Sequence, residues 1–142
     1  MTTAPLASVV VAVLNEAENV GEVCDEIVRA LEPWGPFEIV WVDDGSGDDT
    51  PARLAAIAEK DPRVRLVRHE RRCGKSQAVR TGVLAARAAW VATLDGDGQN
   101  DPVDLPAMLD LARNAPAPSP IVAGIRQRRN DPVSLLIATR IA

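Results

Sequence analysis

Asp95 and Asp97, one residue apart and followed by Gln99, are the side chains of this sequence best suited to chemistry. They close a short apolar run, 90–94, with the length and composition of a buried strand. The oxygens at 95, 97 and 99 recur with a two-residue period, and Gly96 lets the backbone between them turn tightly. Hard oxygen ligands of this kind suit Mg²⁺ or Mn²⁺ holding a phosphate. Three more polar clusters are placed in the same way: Asn15-Glu16 after 8–14, Asp43-Asp44 after 37–42, and Gly74-Lys75 after 64–67. Taken singly, each has a structural explanation: a helix start, a turn with an N-cap, a solvated lysine. In a parallel sheet, however, all carboxyl-terminal strand ends lie on one edge, where open α/β folds place their ligands.

Other motifs fail on counting. Gly74-Lys75-Ser76 ends like a phosphate-binding P-loop, but His69 stands where that motif needs glycine. Gly45 and Gly47 lack the third glycine of a dinucleotide fingerprint. Asp95-x-Asp97-x-Gln99 begins like a calcium-binding EF-hand, but Asn100 occupies the glycine position and Pro106 the glutamate position. His69 is the only histidine, without a partner for a nucleophilic triad, and reads as a surface residue.

The elements that must position these clusters follow from periodicity. Residues 8–14 form a continuous valine-rich run, a central strand. Residues 18–31 carry Val20, Val23, Cys24, Ile27, Val28 and Leu31 at helical spacing. After the break between Pro33 and Pro36 come a strand over 37–42, then a helix with Asp49 or Thr50 as its cap and Pro51 in its first turn. A third strand is expected over 64–67, an alanine-rich helix over 75–89, a fourth strand over 90–94 and a capped short helix over 102–114. A fifth strand over 121–125 and a helix start over 132–142 complete the reading. Such alternation means an α/β fold, a mainly parallel sheet with flanking helices, in a single domain over 1–142.

Composition narrows the function. The chain has 142 residues, 46% of them hydrophobic and 25% charged, enough for one modest core. A net charge of −4 and only 3% aromatic residues argue against a nucleic acid partner, which calls for a basic face and stacking platforms. Cys24 and Cys73 are too few for a disulfide framework and read as buried free thiols. No run reaches the roughly 18 apolar residues of a spanning helix, which leads to an expected cytoplasmic location.

Four motifs in order carry a resemblance. They are Val11-Ala12-Val13-Leu14-Asn15-Glu16; Val42-Asp43-Asp44-Gly45-Ser46 with Asp48 and Thr50; Gly74-Lys75 with Ala78 and Gly82; and Asp95-Gly96-Asp97-Gly98-Gln99-Asn100-Asp101-Pro102. Together, over about residues 8–130, they resemble a family 2 glycosyltransferase. Gln99 and Pro102 bring the similarity towards the dolichol/polyprenyl-phosphate mannosyl- and glucosyltransferase branch. Leu14, where the family often has tyrosine, and Gly98, in place of an apolar residue, depart from the pattern without removing a ligand oxygen.

The resemblance implies the Rossmann-like nucleotide-binding half of a GT-A fold and a nucleotide-diphospho-sugar donor, GDP-mannose or UDP-glucose. It implies that Glu16 and Asp43, beside Asn15 and Asp44, hold ribose and base, that Ala12 lines the pocket, and that Lys75 lies near the nucleotide. Asp95 and Gly96 would lie against the nucleotide sugar, and Asp97 and Gln99 would hold Mg²⁺ or Mn²⁺. Arg126, with Arg128 and Arg129, would serve the donor phosphates or a lipid phosphate. A polyprenyl-phosphate acceptor at a membrane surface needs no general base, since a phosphate monoester with a second pKa of about 6 is already ionised near neutrality. The apolar stretch 134–142 resembles an interface helix ahead of an acceptor half that this sequence does not contain, and favours a membrane surface or a partner chain.

Overall fold

The computed structural model describes residues 3–118 and 120–125. Four strands form: β1 (Ala7–Val13), β2 (Phe37–Asp43), β3 (Val64–Arg68) and β4 (Trp90–Asp95). They make one all-parallel sheet in the order β3-β2-β1-β4. Helices α1 (Val20–Leu31), α2 (Thr50–Lys60) and α3 (Lys75–Ala85) connect them. After β4 come a 3₁₀ turn at Pro102–Asp104 and α4 (Leu105–Asn114). The α/β class expected from the alternation is the class observed.

Central position explains composition. β1 and β2 lie inside the sheet, and their side chains are buried on both faces almost throughout, as continuous apolar runs require. Val9, Val11, Ile39 and Trp41 face α1, α2 and α4, which insert Ile27, Leu54 and Leu105 into the larger core. Val10, Val40 and Val42 face the other way, against Ala78 of α3. Gly82 is what allows α3 to lie so close: a Cβ there would stand 2.3 Å from Val10 Cγ1.

Two elements differ from expectation. The helix expected over 75–89 ends at Ala85, and a buried polar network explains the stop. Arg65 Nη1 donates to the Ala85 carbonyl at 2.9 Å, capping the last turn. Glu38, 4% exposed, accepts the Arg87 amide at 2.6 Å, and Ser8 Oγ accepts the Ala88 amide at 3.1 Å. Those amides are thereby drawn out of helical geometry to the amino-terminal end of the sheet. The strand expected over 121–125 is also absent: Ile121 and Ile125 are 80% and 69% exposed and join no ladder. An apolar run becomes a strand only where a ladder partner and a covering layer meet it. The helix expected over 132–142 lies outside the described residues, as does Arg126.

Candidate functional site

Strand register gathers the polar clusters. Ala12 stands between Val42 and Asp95, Val13 beside Asp43, and Asp43 beside Arg68, so the strand ends share one edge. A cleft of about 230 Å³ opens there. Of the residues singled out from the sequence, Ala12, Glu16, Asp44, Lys75, Asp95, Gly96 and Asp97 line it; Asn15, Asp43 and Gln99 do not. Among the described residues its charged lining is four carboxylates, Glu16, Asp44, Asp95 and Asp97, against two cations, Arg72 and Lys75, a net charge of −2.

The two loops beside β1 are tied to each other. Asn15 adopts φ +54°, which asparagine tolerates better than most residues. Its amide donates to Ser46 Oγ at 2.8 Å, and its side-chain oxygen accepts the Gly47 amide at 2.9 Å. The Glu16 amide donates to Thr50 Oγ1 at 2.9 Å, while the Glu16 carboxylate accepts from Asn19 Nδ2 at 2.7 Å. Thr50 is placed in turn by its own amide, which donates to Asp48 Oδ1 at 2.9 Å. Asn15 thus acts as a clamp between loops, and Glu16 is held at the cleft wall.

The aspartates closing β2 are internal. Asp43 is fully buried; its Oδ1 accepts the Ser46 amide at 3.2 Å. Its Oδ2 lies 3.2 Å from Arg68 Nε but has no aligned hydrogen bond, an acceptor with capacity to spare. Asp44 is saturated. Its Oδ1 accepts from the Cys73 amide and meets His69 Nδ1, both at 2.8 Å, and its Oδ2 accepts the Gly74 amide at 2.9 Å. Burial pushes its carboxyl pKa up, but the donors from Cys73, His69 and Gly74 outweigh burial and hold it below the usual carboxylate value. His69 is therefore no free surface residue: its other nitrogen, Nε2, meets Thr81 Oγ1 at 2.9 Å. A proton on Nδ1, donated to Asp44, leaves Nε2 to accept from the threonine hydroxyl and satisfies both contacts. Cys73, expected to be buried, is exposed, while Cys24 is buried as expected.

The aspartates closing β4 are open. Ala12 and Asp95 are register partners on the α3 side of the sheet, and Lys75 Nζ, from the first turn of α3, pairs with Asp95 Oδ1 across the cleft. Asp95 is 43% exposed. Asp97 is exposed, and its Oδ1 accepts the Gln99 amide at 3.0 Å. Gly96 is buried between them, and a Cβ there would stand 2.1 Å from Val13 Cγ1. Only glycine lets the chain run this close to Val13 with an aspartate on either side. Carboxylate oxygens facing solvent beside a neutral amide donor suit a hard divalent cation. With the lining at −2, such a cation would also let an anionic ligand approach.

Arg72, His69 and Thr81 escaped the reading of the sequence. Placement was the available signal for the first two. His69 immediately follows β3, on the edge where the other clusters lie, and Arg72 stands two residues before the glycine that starts α3.

Similarity to known proteins agrees with this geometry. The family model described as glycosyl transferase family 2 matches residues 8–135. A dodecaprenyl-phosphate galacturonate synthase from Rhizobium johnstonii is 33% identical over 127 residues, covering 87% of this chain and 37% of that protein. An undecaprenyl-phosphate 4-deoxy-4-formamido-L-arabinose transferase from Sodalis glossinidius is 35% identical over 126 residues, covering 87% of this chain and 38% of that protein. Among solved structures, a mannosyltransferase from Pyrobaculum calidifontis in complex with GDP-Man and Mn²⁺ superimposes with a TM-score of 0.66 at 33% identity. That match covers 78% of this chain and 33% of the mannosyltransferase. The chain spans little more than a third of the length of the relatives it matches. Among the described residues, no helix is long and apolar enough to cross a membrane.

Proposed function

The chain belongs to glycosyl transferase family 2, and on that premise we propose that it forms the donor-binding portion of a metal-dependent transferase that moves a sugar from a nucleotide-diphospho-sugar to a polyprenyl phosphate. The observation that carries the reading is the open pair Asp95 and Asp97, facing Lys75 and Arg72 across a cleft of negative net charge. The two relatives with polyprenyl phosphate in their names support the acceptor. The mannosyltransferase solved with GDP-Man and Mn²⁺ supports a donor such as GDP-mannose, with UDP-glucose as the other candidate.

In this reading the protein's own groups divide the work. Asp43 Oδ2, an acceptor without an aligned partner, is assigned to the base, and Glu16, at the cleft wall, to the ribose hydroxyls. Arg72 and Lys75 supply charge-assisted hydrogen bonds to the diphosphate oxygens. Asp97 and Gln99 hold Mg²⁺ or Mn²⁺, which when bound supplies Lewis-acid neutralisation of the charge that builds on the departing diphosphate. Asp95 orients the sugar. Arg126 meets phosphate from the segment that follows. The acceptor phosphate is ionised near neutral pH, with a second pKa of about 6, so no protein base is needed. Transfer to a lipid acceptor would put the working protein at the cytoplasmic face of a membrane.

Calorimetric titration of the full chain with GDP-mannose and with UDP-glucose, with and without Mn²⁺, tests the proposal. Binding of one donor that requires Mn²⁺ and disappears in Asp97→Ala is expected. Metal-independent binding, or none of either donor, overturns it.

A further inference from the structure

We propose that His69 is a positioning residue for the anion side of the cleft: braced between Asp44 and Thr81, it holds the 69–74 loop so that Arg72 and Lys75 face Asp95 and Asp97. The inference rests on reading the cleft as a nucleoside diphosphate site.

Among the described residues, Arg72 and Lys75 are the cations lining the cleft, and both follow His69 within six residues of chain. The loop between has no regular secondary structure to keep them in place. Its hold comes from the end of β2. The His69 amide donates to the Asp43 carbonyl at 2.9 Å, and Asp44 accepts the Cys73 and Gly74 amides. Gly45 makes the approach possible, since a Cβ there would stand 2.7 Å from both Arg71 C and Arg72 N. The imidazole adds a third tie to Asp44 and extends it to Thr81, in the middle of α3. Strand end, loop and helix thereby become one unit.

Both ring nitrogens are engaged by protein, and the His69 side chain is 13% exposed. No nitrogen is left for proton transfer or for a phosphate, so His69 acts through the loop it braces. Asp44, His69 and Cys73 also bring one potential metal-ligating atom each to within 4.8 Å of one another. The Asp44 oxygens, however, already accept N–H bonds, as a hydrogen-bonded brace requires and a metal centre does not.

The test uses the full chain with GDP and with UDP, each with Mn²⁺. Affinity is compared by calorimetry among wild type, His69→Ala, Thr81→Val, Arg72→Ala and the His69→Ala/Arg72→Ala double variant. Loss of one hydrogen-bonded brace is expected to weaken nucleotide binding about tenfold in His69→Ala and about threefold in the milder Thr81→Val. In the Arg72→Ala background, removing His69 should cost about threefold rather than tenfold, because Lys75 alone is then left for the brace to position. Amide exchange at Cys73 and Gly74 should accelerate in His69→Ala while exchange in β1 stays unchanged. Additive losses in the cycle, or unchanged affinity in both single variants, overturn the inference alone. So does a Zn²⁺-dependent rise in melting temperature that Cys73→Ser removes, which would make the cluster a metal centre. Failure of the wild-type chain to bind either nucleotide overturns the diphosphate reading and this inference with it.

Discussion

β2 and β4 both end in a pair of aspartates at the same edge of the sheet, and the two pairs have opposite fates. Asp43 and Asp44 are buried, and Asp44 has every oxygen committed to the protein's own N–H groups. Asp95 and Asp97 are open, one facing a lysine and the other accepting a neighbouring amide. Identical chemistry therefore builds the wall in one case and offers ligands in the other. Position in the sheet decides which: β2 is flanked on both sides by strands, whereas β4 pairs only with β1 among the described residues. Substitutions in the two pairs should therefore separate binding from stability.

Asp97→Ala should show the largest effect and the cleanest separation. Loss of a direct ligand is expected to weaken Mn²⁺-dependent nucleotide binding by on the order of 100-fold or more. An exposed site with one amide partner should leave stability within about 0.5 kcal/mol. Paired calorimetry and thermal melts read both; a large drop in melting temperature would mean that Asp97 is part of the wall after all.

Asp44→Ala should do the reverse, first to stability. It strands the Cys73 and Gly74 amides and the His69 ring, and a cost of about 2–4 kcal/mol is expected from urea unfolding. The acid side of the same curve sharpens the test. A carboxylate whose folded pKa is depressed contributes stability that is present above its unfolded value, about 3.9, and lost as pH falls through the lower folded value. Glu38, lowered by Ser8, Arg87 and Arg65 against its burial, acts in the same direction at the other end of the sheet. Asp44→Asn should therefore flatten part of the decline below about pH 4, not all of it. An unchanged acid profile would refute the saturated state assigned to Asp44.

How much of this was legible in the sequence follows the same division. The four strands, the class and the shared edge could be read because each strand is a local run with local punctuation. The openness of Asp95-Gly96-Asp97 was also legible, since glycine beside aspartate at a strand end marks a backbone kept free for something else. What periodicity could not carry was long-range capture. Glu38 and Ser8 end α3 by accepting the Arg87 and Ala88 amides 49 and 80 residues away, and His69 meets Asp44 and Thr81 across 25 and 12 residues of chain. A lone histidine has no periodic signature, so its partners appear only when the loop is folded onto the sheet. The strand expected over 121–125 failed for the opposite reason: its local signal was adequate, and among the described residues no strand pairs with it.

Gly96→Ala probes the hinge of the open pair and should rank third. The new methyl would meet Val13 Cγ1 at 2.1 Å, with Val11 Cγ1 at 3.3 Å behind it, and overpacking of this kind costs about 1–3 kcal/mol. Gly47→Ala is the control within the same edge, since nothing lies within 4 Å of a Cβ there. Equal melting temperatures for the two variants would show that the β4 terminus yields more readily than the packing suggests.

Lys75→Gln should have the smallest effect on stability and the most instructive effect on binding. Lys75 is 67% exposed and Asp95 43% exposed, so solvent screening leaves their pair worth at most about 1 kcal/mol. In the ligand-free chain, however, the ammonium sits on a carboxylate next to the residue assigned to the metal. Removing it frees Asp95 and lowers the positive charge of the cleft, so Mn²⁺ alone should bind a few-fold more tightly. The same change removes a cation for a diphosphate, so GDP or UDP with Mn²⁺ already saturating should bind several-fold more weakly. Opposite signs for metal and nucleotide can arise only if Lys75 serves the open pair in two ways, as its counter-ion when the cleft is empty and as a phosphate contact when it is filled. Two losses of the same sign would reduce Lys75 to a structural residue of the cleft wall, and the boundary between built and open aspartates would then have to be drawn between Asp95 and Asp97.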